Sequence, residues 1–150
     1  MARWVPARAD VIGAYAAEVL EVFPSGRVLV GLDGDDAEPR ASFATDLAGA
    51  IRARGVPAES APFTDEASFR AEVLGRFRSG SLLPGERAVL VVQGQGLLEP
   101  GALGMWHTTA WLDSPDAPRV SRRTVPRTRA NATFALADAA HPRRVFADAC

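Results

Sequence analysis

An uninterrupted apolar run at residues 88–92 (AVLVV) is the feature that most restricts the fold of this chain. A strand without polar alternation must be covered on both faces, which is typical of parallel sheets enclosed between helices. Residues 27–32 and 106–112 are further strand candidates, and segments with helical periodicity separate the three strands. This alternation predicts an α/β fold with three layers, αβα, around a mostly parallel sheet.

Helical periodicity predicts helices over residues 11–22, 42–54 and 64–77. Gly55 suits the position just after the second helix, because glycine readily adopts the left-handed conformation that ends helices. Thr64 is the predicted N-cap of the third helix, where Asp65 and Glu66 match the positive end of the helix dipole.

The remaining segments have weaker patterns. We predict a weak strand at residues 56–61, interrupted by two prolines, and a loop at residues 78–86. Residues 133–137 and 145–147 predict two short final strands. Before these strands, residues 116–130 contain five Arg and two Pro, a composition that predicts a charged, irregular excursion.

Length and charge restrict the class of protein. A chain of 150 residues predicts one domain over residues 1–150. The net charge of −1 creates no basic field, so we expect neither nucleic acid nor membrane as a partner. There is no apolar stretch of membrane-spanning length and no signal-peptide core, which predicts a cytoplasmic protein.

Lysine is absent, and all 17 basic residues are Arg. Mechanisms that need a lysine, such as a Schiff base or the lysine of a phosphate-binding loop, are therefore excluded. Cysteine occurs once, as Cys150, and His107 and His141 lack the spacing of a zinc site. We predict no metal ligands.

The turn after the first strand resembles a phosphate-binding loop whose working residues are replaced. The motif G-x-x-x-x-G-K-[ST] can be laid on the chain from Gly34. Its second glycine is then Pro39, its lysine is Arg40 and its hydroxyl residue is Ala41. We expect residues 33–41 to lie at the carboxyl edge of the sheet, immediately before a helix that begins near residues 40–43.

The order of several motifs resembles that of the bacterial uridine kinase-like P-loop nucleoside kinases. The matching segments are residues 31–34 (GLDG), 52–55 (RARG), 89–94 (VLVVQG) and 111–115 (WLDSP). The resemblance implies a P-loop NTPase-like fold with ATP and Mg²⁺ as cofactors. It also implies a nucleotide or small-anion site, whose predicted residues are Gly34, Asp35, Asp36, Arg40 and Ser42.

The chain departs from this family where the chemistry would occur. Pro39 removes a backbone donor, Ala41 offers Mg²⁺ no hydroxyl, and Gln93 stands where the family has a metal-supporting Asp. The nucleoside-binding and lid sections are shortened. We therefore predict a pseudokinase with weak or no Mg-ATP binding and no catalytic residues, which acts as a binding or regulatory protein for an unidentified protein partner.

Three alternatives follow from the same residues. A divergent nucleoside or small-molecule kinase would use Arg40 as its phosphate-binding cation. A haloacid dehalogenase-like phosphatase would use Asp33 as its nucleophile and Asp35 as its acid/base, with Asp113 and Asp116 on Mg²⁺. A serine hydrolase is disfavoured, because Ser42, Ser114 and Ser121 all lack a G-x-S-x-G setting.

The departures also suggest a repair experiment. If the turn keeps the backbone of a phosphate cradle, replacing Pro39 with Gly, Arg40 with Lys and Ala41 with Thr is expected to restore some nucleotide binding. Because Gln93 remains, phosphoryl transfer is not expected to return.

Overall fold

The computed structural model describes residues 5–114 and 130–146, in which helices and strands alternate along most of the chain. In chain order the elements are α1 (Arg8–Val22), β1 (Arg27–Asp33), α2 (Ala37–Arg52), β2 (Ala58–Phe63), α3 (Glu66–Phe69), a π-helical turn (Arg70–Leu74), α4 (Gly75–Ser79), β3 (Ala88–Gly94), α5 (Pro100–Leu103), β4 (Thr108–Asp113), β5 (Ala132–Ala135) and β6 (Arg143–Val145).

The six strands form one sheet in the order β2-β3-β1-β4-β5-β6. β1 lies between β3 and β4 and runs parallel to both, with Asp33 opposite Gly94 on one side and Trp111 on the other. β2 and β5 are also parallel to their neighbours, whereas β6 is antiparallel to β5. The predicted, mostly parallel sheet is confirmed, with β6 as its antiparallel exception.

Two apolar clusters cover the two faces of the sheet. On one face, Phe43 of α2 packs in the cluster that contains Val91 of β3. On the other face, Phe77 of α4 and Trp106 pack in the cluster that contains Leu90. Leu90 and Val91 are adjacent and both are buried, because neighbouring side chains of a strand point to opposite faces. The three-layer αβα arrangement is confirmed.

The start of α2 corrects the prediction. The helix begins at Ala37, directly after Asp36 in an extended conformation, and not at residue 42. Pro39 therefore lies in the first helical turn, where its missing N–H removes no bond of the helix. At the other end Gly55 adopts the expected positive φ, of 87°.

The helical segment after β2 exists as predicted, but its cap differs. Asp65, and not Thr64, is the N-cap, and its carboxylate accepts hydrogen bonds from the backbone N–H and the hydroxyl of Ser68 at 2.8 and 3.0 Å. These bonds hold the pKa of Asp65 below its usual range, because they stabilise the ionised carboxylate. The π-helical turn that follows has no signal in the sequence.

The outer strands differ from the prediction by a few residues. β2 begins at residue 58, and it holds Pro62 because an edge strand tolerates a residue without an N–H. β5 begins one residue and β6 two residues before the predicted starts at 133 and 145. Almost all of the Arg-rich segment 116–130, together with Cys150, lies outside the described residues.

In the described ranges no helix has the length and apolar character needed to cross a membrane. The same ranges contain no group of three or more His, Cys, Asp or Glu side chains positioned to hold a metal ion.

His107 joins the amino ends of β1 and β4. Its backbone N–H donates to the carbonyl of Leu29, and its ring Nδ1 accepts the N–H of Leu29, both at 2.9 Å. Burial, and to a lesser degree the nearby Arg78, lower the pKa of His107 from 6.5. The ring is therefore held neutral in the fold, where Nδ1 must lack a proton to accept this bond.

Stability is consequently expected to decrease as the pH falls below about 6.5, because the unfolded chain then binds a proton that the fold resists. His107→Asn keeps a side-chain acceptor and removes the titration, so it should flatten this dependence. Urea unfolding of parent and variant between pH 5 and 7.5 measures it. Parallel curves for the two proteins would contradict the assignment to His107.

Candidate functional site

The candidate site lies between the carboxyl ends of β1 and β3. After β1 the chain continues into α2, which packs on one face of the sheet. After β3 it continues into residues 97–106, which pack on the other face. Ligands of open α/β sheets bind where neighbouring strands diverge in this way. We call this region, residues 33–36 and 93–96, the switch-point crevice.

Asp33 forms the buried base of the crevice, with a side chain that is 0% exposed. One carboxylate oxygen accepts the N–H of Gly34 at 2.7 Å. The other accepts the N–H groups of Gly96 and Leu98 at 3.2 and 3.4 Å. Asp33 thus fastens the segment after β3 to the end of β1, and backbone donors surround its charge.

Arg40 spans the crevice from the first turns of α2. Its Nε donates to Oε1 of Gln93 at 2.8 Å, and its Nη1 donates to the carbonyl of Gly34 at 2.6 Å. The guanidinium therefore binds both strand ends at once. The chain's own side chain therefore occupies the sheet edge where the sequence motif predicted a nucleotide or small-anion site.

Further hydrogen bonds connect the segments around the switch-point crevice. The side-chain amide of Gln95 donates to the carbonyl of Asp35 at 3.4 Å. On the other side of the turn, the Asp36 carboxylate accepts the hydroxyl proton of Ser114 at 3.1 Å. Together with the bonds of Asp33 and Arg40, these contacts tie the turn after β1 to the segments after β3 and β4.

Two glycines permit the close approach of neighbouring strands at this edge. A Cβ on Gly34 would lie 2.6 Å from the carbonyl oxygen of Leu112, and a Cβ on Gly94 would clash with the carbonyl oxygen of Phe63. The packing of the strands therefore requires glycine at position 34, whether or not a phosphate binds there. The first glycine of the sequence motif is explained by strand proximity alone.

The predicted site residues do not all meet. Gly34, Asp35 and Arg40 surround the switch-point crevice, and Asp36 points to Ser114 beside it. Ser42 is exposed on another side of α2, where its hydroxyl accepts a hydrogen bond from Arg8 at 3.3 Å.

A serine hydrolase centre is not formed by the described residues. Ser114 follows the carboxyl end of β4, whereas His107 precedes its amino end, so the whole strand separates them. His141 instead lies 3.1 Å from the carbonyl of Pro6.

The turn does not fit the phosphate and Mg²⁺ that the kinase fold implies. Only three residues, 34–36, connect β1 to α2, so the turn is short and Pro39, Arg40 and Ala41 lie in the first turns of the helix. The N–H of Gly34 is already donated to Asp33. Asp35, Asp36 and Glu38 also stand around the turn, and each charge would repel a close phosphate by about 1 kcal/mol in water and several times more near a protein surface.

Gln95 and Gly96 belong to the crevice but were not predicted as site residues. The glycine-rich run QGQG after a buried strand is the sequence signal that points to them, because such turns bring backbone N–H groups close to neighbouring groups. Their hydrogen bonds to Asp33 and Asp35 depend on the pairing of β1 with β3, which that run does not reveal.

Comparison with known proteins gives matches among solved structures. No protein-family model matches the chain, and no curated protein matches it significantly. A possible uridine kinase from Bacillus stearothermophilus superposes with a TM-score of 0.55 at 13% identity, over 79% of this chain and 85% of that one. A candidate fructose transport system kinase from Silicibacter sp. TM1040 has a TM-score of 0.46 and 22% identity, over 67% of this chain and 73% of that one.

The superposition on the possible uridine kinase covers most of both chains, and at this level of identity it establishes the fold. The resemblance to uridine kinase-like P-loop kinases, predicted from the order of motifs, is therefore confirmed as a shared α/β fold with helices around a mostly parallel six-stranded sheet.

Proposed function

We propose that this chain is a pseudokinase: a protein with a uridine kinase-like fold that does not transfer phosphoryl groups and acts as a binding or regulatory protein. The bridge from Arg40 to Gln93 and Gly34 carries this proposal, because it fills the switch-point crevice with the chain's own cation. The expected partner is a protein, since the net charge of −1 offers no attraction to nucleic acid.

An active kinase that uses Arg40 is disfavoured by the same contacts. To bind a phosphate, Arg40 would have to leave Gln93 and Gly34, and hydrogen bonds from a charged group contribute about 1.5–3 kcal/mol each. The hydroxyl and carboxylate that would support Mg²⁺ are replaced by Ala41 and Gln93. The phosphate would therefore displace internal bonds without gaining a metal ion.

The phosphatase alternative is disfavoured by Asp33. A nucleophilic carboxylate must reach its substrate, but both oxygens of this buried side chain accept backbone hydrogen bonds. Exposing the carboxylate would break the contacts that hold the segment after β3.

Phosphoryl transfer tests the proposal directly. Incubation with γ-labelled Mg-ATP and a panel of nucleosides and sugars is expected to give no product above the protein-free background. Arg40→Met is the matched variant and should be equally inactive. Turnover by the parent that disappears in Arg40→Met would support the divergent kinase and overturn the pseudokinase proposal.

The repair variant gives a second test. Because all three positions lie inside α2, replacing Pro39 with Gly, Arg40 with Lys and Ala41 with Thr changes the helix and does not lengthen the turn. We now expect no gain in nucleotide binding, contrary to the expectation from sequence. A folded variant, verified by circular dichroism, that binds ATP at least tenfold more tightly than the parent would contradict this account of the turn.

A further inference from the structure

A groove of about 590 Å³ lies between α1 and β6, and none of its lining residues belongs to the switch-point crevice. Its lining includes the rings of Tyr15 and Phe134, which pack edge to face with centroids 4.9 Å apart. Its volume and apolar lining are within the range of protein binding sites.

Exposed apolar side chains are concentrated around this groove. Among the described residues, four large apolar side chains are strongly exposed, and two of them, Val5 at 53% and Phe146 at 73%, line the groove. A third, Val145, is adjacent to Phe146, whereas Val22 lies at the other end of α1. Such clustering of exposed apolar groups marks interaction surfaces.

The two walls of the groove carry opposite charges. The α1 wall contributes Asp10 and Glu18, and the β6 wall contributes Arg143 and Arg144. Glu18 and Arg144 already form an ion pair across the groove, with oxygen–nitrogen distances of 2.5 and 3.3 Å. Asp10 and Arg143 form no side-chain hydrogen bond or ion pair within the described residues, so each is available to a partner.

We infer that this groove is a self-association surface and that its occupant is a second copy of the chain. A two-fold axis along the groove places α1 of each copy over β6 of the other, so that Asp10 of one copy faces Arg143 of the other. A two-fold axis across the groove would instead place the acidic α1 walls against each other. The charges therefore select the first arrangement.

In this arrangement the Phe146 side chains of the two copies supply the apolar centre. Each ring enters the groove of the other copy and is buried there with the exposed Val5, whereas Tyr15 and Phe134 are already buried in the single chain. Aromatic residues buried at the centre of an interface, with charged pairs at the rim, are the usual pattern of a stable contact. The surface uses neither the crevice nor the proposed loss of catalysis, so the two proposals stand or fall separately.

Sedimentation velocity of the full chain over a concentration series tests the inference. We expect a monomer–dimer equilibrium, which Phe146→Asp weakens by about thirtyfold or more, since it places a charge in the apolar centre. Because Phe146 is exposed in the single chain, this variant should remain folded. Val22→Asp, at the other exposed apolar side chain, is the matched control and should leave the equilibrium unchanged.

Charge exchange tests the orientation. Asp10→Arg and Arg143→Asp should each weaken the dimer several-fold, and the two changes together should restore it, because the pair is then reversed and intact. A parent that remains monomeric at all concentrations, or a dimer insensitive to Phe146→Asp, would overturn the inference. Uptake of a small apolar fluorescent probe by a monomeric parent would also overturn it and assign the groove to a small ligand.

Discussion

Gly94→Ala is expected to destabilise the protein by about 3 kcal/mol, because the added methyl group has no space at the end of β3. Its Cβ would clash with the carbonyl oxygen of Phe63 and lie 2.9 Å from the Cβ of the same residue. Both groups belong to the paired strand β2, where relief requires movement of the backbone. The change also lies at the switch-point crevice, one residue after Gln93.

Gly13→Ala is the matched control, and we expect it to change the free energy of unfolding in the opposite direction. Gly13 lies inside α1 and a Cβ there would meet no atom within 4 Å. Since alanine is the better helix former, this change should stabilise the protein by about 0.5–1 kcal/mol. Urea unfolding of both variants measures the two effects. A Gly94→Ala protein as stable as the parent would show that the strand ends are less tightly packed than described.

Arg27→Ala is expected to lower the free energy of unfolding by about 3 kcal/mol or more, because this side chain binds one carbonyl group of α4 and two of the loop before β3. Nε of Arg27 donates to Phe77 at 2.6 Å, Nη1 to Gly85 at 2.7 Å and Nη2 to Leu82 at 2.5 Å. The guanidinium also lies 4.5 Å from the centre of the Phe77 ring. Removal loses these contacts together and leaves partly buried carbonyl groups without donors.

Arg70→Ala provides the comparison for Arg27. Its side chain forms an exposed ion pair with Glu66 one helical turn away, and such pairs contribute about 0.5 kcal/mol. The loss of unfolding free energy in Arg27→Lys should lie between those of Arg27→Ala and Arg70→Ala. A single ammonium group cannot reach three separate carbonyl groups as a planar guanidinium can. Equal unfolding free energies for Arg27→Ala and Arg70→Ala would refute the bracing role of Arg27.

The core of the fold could be predicted from sequence because burial has a periodic signal. The run at residues 88–92 predicted a strand covered on both faces, and Leu90 and Val91 indeed belong to different apolar clusters. The α2 boundary was missed because Pro39 was taken as a loop residue. An acidic residue followed by proline in the first helical turn is equally consistent with a helix start, and here it is one.

The closure of the crevice could not be predicted in the same way. Sequence predicted that Arg40 and Gln93 replace kinase residues, but it did not show that their side chains meet. The register of β1 and β3 places Gln93 beside the end of β1, and α2 brings Arg40 within 2.8 Å of it. Arg40 was predicted to be in the turn, where it could face a ligand. Its position inside α2 directs its guanidinium to the two strand ends instead.

We propose that the chain has a kinase fold without a nucleotide site at the switch-point crevice. Calorimetric titration of Mg-ATP into the parent protein, repeated with EDTA, tests this claim most directly. We expect no saturable heat, or a Kd weaker than about 1 mM that EDTA does not change, equivalent to less than about 4 kcal/mol of binding free energy. Micromolar binding that requires Mg²⁺ would contradict it.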